Sequence, residues 1–147
     1  MQAWLMWLLA GGAGILMAIQ GSINGALGKI IGVLEGSFIL HAVGLGIVTV
    51  LLFVFGLGKG DLSRVTEAPW YLYLGGVLNV AIIYGVMFSI SRCGAGAATT
   101  AIITGQLAMS LVVDQFGLFG LEQHPITWMR GAGLVLMAVA AYLLLSK

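Results

Sequence analysis

The chain has 147 residues, of which 61% are hydrophobic and only 7% charged, with a mean hydropathy of +1.11 and a net charge of +1. Soluble globular domains run nearer half apolar and a quarter charged, so this composition leaves no room for a soluble catalytic module. The near-zero charge supplies no basic field for nucleic acid, and one cysteine, Cys93, allows no intrachain disulfide.

A helix needs about 20 apolar residues to cross a hydrocarbon core of about 30 Å. In chain order, five segments meet that length. The first is predicted over 3–28. It is uncharged and has no basic residue before it, which argues against a cleaved signal peptide. Lys29 and Glu35 bracket a short turn, and the second helix is predicted over 36–58. A polar loop follows from Lys59 to Glu67. Pro69 suits the first turn of a third helix over 69–91, where a missing N–H is harmless. Arg92 to Gly94 turns the chain into a fourth helix over 95–116. After a loop from Gly117 to Pro125 comes a fifth helix over 126–146, with Arg130 able to snorkel outward. The runs are apolar on all sides, which excludes the alternating strands of a membrane barrel. The expectation is an all-α integral membrane protein, a single transmembrane domain over 1–147.

An odd number of crossings places the termini on opposite faces. The face of the N-terminus then receives Lys59, Arg64 and Arg130, and the other receives Lys29, Arg92 and Lys147. This balance gives the positive-inside rule no preference. Two readings follow: one orientation set by weak cues or by a partner, or insertion both ways with antiparallel pairing. The aromatic residues favour the second. Trp4, Trp7, Trp70 and Trp128 all begin odd-numbered helices, with Tyr71 and Tyr73 beside them, whereas Tyr142 lies towards the opposite face. An antiparallel pair would carry an aromatic belt at each interface.

Polar side chains inside a membrane are costly and are candidate functional groups. Asn79, Thr104 and Gln106 fall at the predicted midplane. At 1.5 Å per residue, Gln20 lies about 7 Å from the centre of its helix and His41 about 9 Å from the centre of the next, on the same side. Asn24 shares a helix face with Gln20, and Ser37 shares one with His41. Thr99, Gln106, Ser110 and Asp114 form a stripe on the fourth helix, flanked by Thr100 and Thr104. Gln20, Asn24, His41, Asn79, Thr104, Gln106 and Ser110 are therefore the candidate lining of a site for a small polar solute. The bland alternative is that they bond between helices, at about 0.6 kcal/mol each. His41 is the candidate for proton linkage, because histidine is the side chain that ordinarily titrates near neutral pH. Glu35 suits a helix N-terminus, and Asp114 can reach headgroups.

Gly21 and Gly25, then Gly28, Gly32 and Gly36, recur at the four-residue spacing of close helix contact. Enzyme motifs are missing. Gly28-Lys29 lacks the glycine and hydroxyl residue of a phosphate-binding loop, since Ile23 and Ile30 stand there. His41 and His124 have no metal-ligand spacing, and neither a metal nor a cofactor is expected.

The run from Gly14 through Gln20 and Asn24 to Lys29 resembles the opening of the YdcZ-like proteins, a five-helix branch of the bacterial drug/metabolite transporter superfamily. Pro69-Trp70 with Gly75-Gly76, then Gly105-Gln106-Leu107, then Asp114 to Gly120 resemble it in the same order. The resemblance implies a multi-pass protein of the bacterial inner membrane. It implies a half-transporter that pairs antiparallel with itself or a homologous subunit, forming a ten-helix assembly like an inverted repeat. It also implies kinship with the small multidrug-resistance proteins. Unlike them, this chain has no deep glutamate in its first helix, where Gln20 is the prominent polar group; that departure argues against proton-coupled export of cationic drugs. The function expected is alternating-access transport of a small polar metabolite. The alternatives are a passive channel on the same antiparallel dimer and a structural subunit of a heteromeric transporter.

Overall fold

The computed structural model describes residues 3–145, so Ser146 and the basic Lys147 lie outside the described residues. The α-helices are α1 (Ala3–Ile31), α2 (Val33–Thr49), α3 (Leu74–Cys93), α4 (Ala95–Phe116) and α5 (Trp128–Leu145). A π-helical turn, Val50–Val54, prolongs α2, and a 3-10 turn, Trp70–Tyr73, leads into α3. With these extensions, five helical segments are long and apolar enough to cross a bilayer. Large side chains such as Ile15, Leu45, Val77 and Leu136 are 65%, 69%, 66% and 69% exposed. Such exposure would be ruinous in water, whereas lipid tails solvate it.

The chain divides into two compact units, Met1–Arg92 and Cys93–Lys147. The first holds α1, α2 and nearly all of α3. Its α1 and α2 are separated by a single residue, Gly32, at φ 101° and ψ 151°. Only glycine adopts that backbone freely. The Gly32 N–H donates to the Gly28 carbonyl at 3.1 Å, and the Gly36 N–H donates to the Gly32 carbonyl at 3.0 Å. One glycine thus ends one helix and begins the next, which is why the break is narrower than the stretch from Lys29 to Glu35. Lys29 falls in the last turn of α1 and Glu35 in the first turn of α2, where their charges oppose the helix dipoles.

The core of this unit is a glycine cradle. A Cβ added at Gly25 would stand 2.6 Å from Ile90 Cγ2, and one at Gly21 would stand 2.9 Å from Ile90 Cδ1. The Met87 methyl occupies the equivalent space at Gly36, 2.5 Å from such a Cβ. Met87 is fully buried and Ile90 is 7% exposed. The missing side chains on α1 and α2 let α3 approach closely, the usual way that membrane helices gain dispersion contacts when lipid offers no hydrophobic driving force.

The loop from Lys59 to Glu67 carries a 3-10 turn, Leu62–Glu67. Asp61 caps it by accepting from the Ser63 hydroxyl at 2.6 Å and the Ser63 N–H at 2.9 Å. These bonds, the hydroxyl first, hold the Asp61 carboxyl below its ordinary range. Arg64 pairs with Glu67 at 2.7 Å in full solvent, and that bond raises the guanidinium's pKa. The Tyr73 hydroxyl donates to the Val65 carbonyl, tying the loop to the start of the third segment.

The second unit is an α4–α5 hairpin. Gly117 ends α4 in the left-handed region, at φ 59° and ψ 39°. The following loop folds back onto that helix end. The Ile126 N–H donates to Gln115 Oε1 at 2.6 Å, the His124 N–H to the Asp114 carbonyl at 2.8 Å, and Gln123 Nε2 to the Phe116 carbonyl at 3.3 Å.

Two outcomes are expected. Gly25→Val overpacks the Ile90 contact and destabilises the protein by about 1–3 kcal/mol. Gly44→Ala adds a Cβ into open space and leaves the melting midpoint in detergent unchanged. Equal midpoints for the two variants would refute the cradle. The Asp61 turn has a depressed folded-state pKa, so its contribution is present above the ordinary value of 3.8 and is lost as pH falls through the lower folded value. The protection factor of the Ser63 amide, its exchange relative to a free peptide at the same pH, should fall on that acidification, and Asp61→Ala should abolish this change.

Candidate functional site

In the first unit, α2 and α3 are joined by a polar contact between two otherwise apolar helices. His41 Nδ1 stands 2.7 Å from the Ser37 carbonyl oxygen, one turn earlier on α2. Its Nε2 stands 3.1 Å from Asn79 Nδ2 on α3. Ser37 is 2% exposed, His41 is half-buried and Asn79 is exposed. A carbonyl oxygen only accepts, so Nδ1 carries the hydrogen and Nε2 is the acceptor for the Asn79 amide. The imidazole is thereby fixed in one neutral tautomer, with both ring nitrogens used.

Sequence reasoning placed His41 level with Gln20, and from the midpoints of Trp4–Ile31 and Val33–Val54 both lie about 4 Å towards the α1–α2 joint, at 1.5 Å per residue. The hydrogen-bond partner of His41 on another helix is Asn79.

Gln20 and Asn24 lie one turn apart on α1 and line an open groove of about 500 Å³ with Leu16, Met17 and Ile23. Gln20 is exposed, Asn24 is 4% exposed, and neither side chain has a hydrogen-bond partner among the described residues. An amide in that position must find a partner in lipid or incur a desolvation cost of several kcal/mol. Gln20 is also near the middle of its segment, Trp4–Ile31.

In the second unit the stripe on α4 separates into two kinds. The Thr100 hydroxyl donates to the Gly96 carbonyl at 2.8 Å, Thr104 to Thr100 at 2.9 Å and Ser110 to Leu107 at 2.9 Å. Their protons are spent on their own helix, and their oxygens are left as acceptors. Gln106 is exposed and has no hydrogen-bond partner among the described residues. Asp114 pairs with Arg130 across the hairpin, at 3.4 Å from Nη1, and that nitrogen also donates to the His124 carbonyl at 3.2 Å. Arg130 therefore reaches from the first turn of α5 to the loop at the end of the hairpin. The pair was legible as opposite charges flanking one hairpin loop. Both side chains are about 40% exposed, as 41% and 39%, so this is an interfacial clasp of small energy. Among the described residues, no three His, Cys, Asp or Glu side chains gather as a metal site.

The arrangement offers amides, hydroxyl oxygens and one imidazole on helices that otherwise present only hydrocarbon. Such groups can exchange hydrogen bonds with a solute. A family model described as "Putative inner membrane exporter, YdcZ" matches residues 5–143. No curated protein and no solved structure matches the chain. The matched stretch runs from the first turn of α1 to the last turn of α5, so it takes in all five apolar helices and both polar groups just described. The chain belongs to the YdcZ family of inner membrane exporters.

Proposed function

We propose that this inner membrane protein exports a small polar metabolite by alternating access, as an antiparallel dimer. The observation that carries the reading is the His41–Asn79 bridge, which holds a polar group in the middle third of the segments Val33–Val54 and Trp70–Cys93. Gln20 and Asn24, with amides unpartnered among the described residues, are assigned to the solute in the first unit. Thr104, Gln106 and Ser110 are the second unit's polar face and are assigned the same use. The set has no carboxylate, lysine or arginine, which favours a neutral or zwitterionic solute over a drug cation. Pairing with an inverted copy is supported by the even split of basic residues between the two faces and by the tryptophans at the starts of the odd-numbered segments. Five crossings then become ten, and a site near the midplane receives residues from both subunits, as in transporters built from inverted repeats.

Two experiments test this. A thermal-shift screen against small polar metabolites identifies the ligand, which at a hundredfold excess over its Kd adds about 2.7 kcal/mol of apparent stability. In proteoliposomes, Gln20→Ala and Asn79→Ala should each cut flux of that ligand by on the order of tenfold, the equivalent of 1.4 kcal/mol, with the dimer intact. Normal flux in both variants would overturn the site, and flux without solute exchange at channel rates would overturn alternating access. Reporter fusions at the C-terminus should signal from both sides of the membrane in cells without a homologous partner. A signal from one side alone would overturn the antiparallel homodimer.

A further inference from the structure

The frame around His41 admits one neutral form of the ring. Ser37 offers Nδ1 a carbonyl oxygen at 2.7 Å, and Asn79 offers Nε2 an amide nitrogen at 3.1 Å. The Ser37 hydroxyl, at 3.5 Å from Nδ1, adds little. A proton that binds Nε2 consumes its lone pair, forms an N–H bond and leaves the ring with a unit positive charge. Nε2 then becomes a donor facing the donor Nδ2 of Asn79. The contact survives only if the Asn79 amide turns over by about 180° and presents Oδ1 as acceptor. The other titratable and charged groups on these three helices are Lys29 on α1, Glu35 on α2, and Tyr84, Arg92 and Cys93 on α3. None is hydrogen-bonded or ion-paired to His41 among the described residues, and Arg92 lies over the Phe88 ring at 5.4 Å. In this unit the Asn79 carbonyl is therefore the compensation closest to hand for a charge on His41.

We infer that His41 is a proton-binding site whose occupancy is read by the orientation of the Asn79 amide. With His41 neutral, Asn79 keeps Oδ1 free to accept a hydrogen bond from solute. With His41 protonated, Asn79 turns its NH2 group outward and offers donors. Proton binding and solute binding are thus linked through one side chain that both contact. The inference names the proton as coupling ion and rests on the export reading for its use in transport; the chemistry of the switch does not.

The chain holds two histidines, so His124→Asn leaves His41 as its sole imidazole. The probe is solid-state nitrogen NMR of that variant, isotopically labelled and reconstituted in lipid bilayers. The titration runs from about pH 9 to about pH 5, spanning the ordinary histidine range. At the alkaline end Nδ1 should show the protonated signature and Nε2 the bare one. On acidification Nε2 should gain a proton, and the Asn79 side-chain amide signal should move with the same midpoint. His41→Gln should remove that pH dependence altogether. An Nε2–H tautomer in the neutral form, or an Asn79 signal that ignores the His41 titration, overturns the proposal, and either is read in the His124→Asn protein whether or not His41→Gln folds. The titration needs no flux. A normal titration in a protein that fails to transport overturns the export reading alone. Transport with an unmoved Asn79 overturns the switch alone.

Discussion

In the bilayer every N–H and C=O must be satisfied within the protein, because no water is present to take its place. The rest of this structure follows from that rule. Backbone groups are absorbed by helices, and Ser22, Ser91, Thr100, Thr104 and Ser110 return their hydroxyl protons to carbonyls of their own helices. What cannot be absorbed that way stands out. The side-chain amides of Gln20, Asn24 and Gln106 make no hydrogen bond among the described residues, and the imidazole of His41 is bridged across helices.

Packing obeys a related economy. With lipid as apolar as leucine, helices gain nothing by hiding hydrocarbon, so contact depends on closeness. The first unit achieves this with glycines on α1 and α2, filled by Met87 and Ile90 from α3. The same approach brings α3 near enough to α2 for Asn79 to reach His41. A steric device therefore sets a chemical contact.

Much of this was legible in the sequence. Five apolar segments, the polar loop after Lys59, the glycine spacing and the identity of the polar residues need only hydropathy and period. Two features were not. The His41–Asn79 bond was hidden because hydropathy gives each side chain a depth but not the neighbour it faces. The fate of each hydroxyl was also hidden, since Thr104 and Gln106 look equally polar in a string of letters. Only a backbone shows that the first can bond to its own helix while the second reaches past it. The Asp114–Arg130 clasp lay between these cases. Its charges were visible, but its geometry depends on a loop whose folding, with Phe119 at φ 61°, has no sequence signature.

The single-glycine joint at Gly32 has a consequence for how this chain tolerates change. Each residue added to a continuous helix rotates everything beyond it by about 100°. A joint of one residue has no slack in which to dissipate such a phase error. One residue inserted between Gly28 and Gly36 would swing the imidazole of His41 away from α3 and carry Ser37 out of the core with it. The same insertion between Lys59 and Glu67 would be taken up by solvent-exposed turns. Within the first unit, length variation should therefore be confined to the second connection, and the α1–α2 hairpin should behave as a part of fixed gauge.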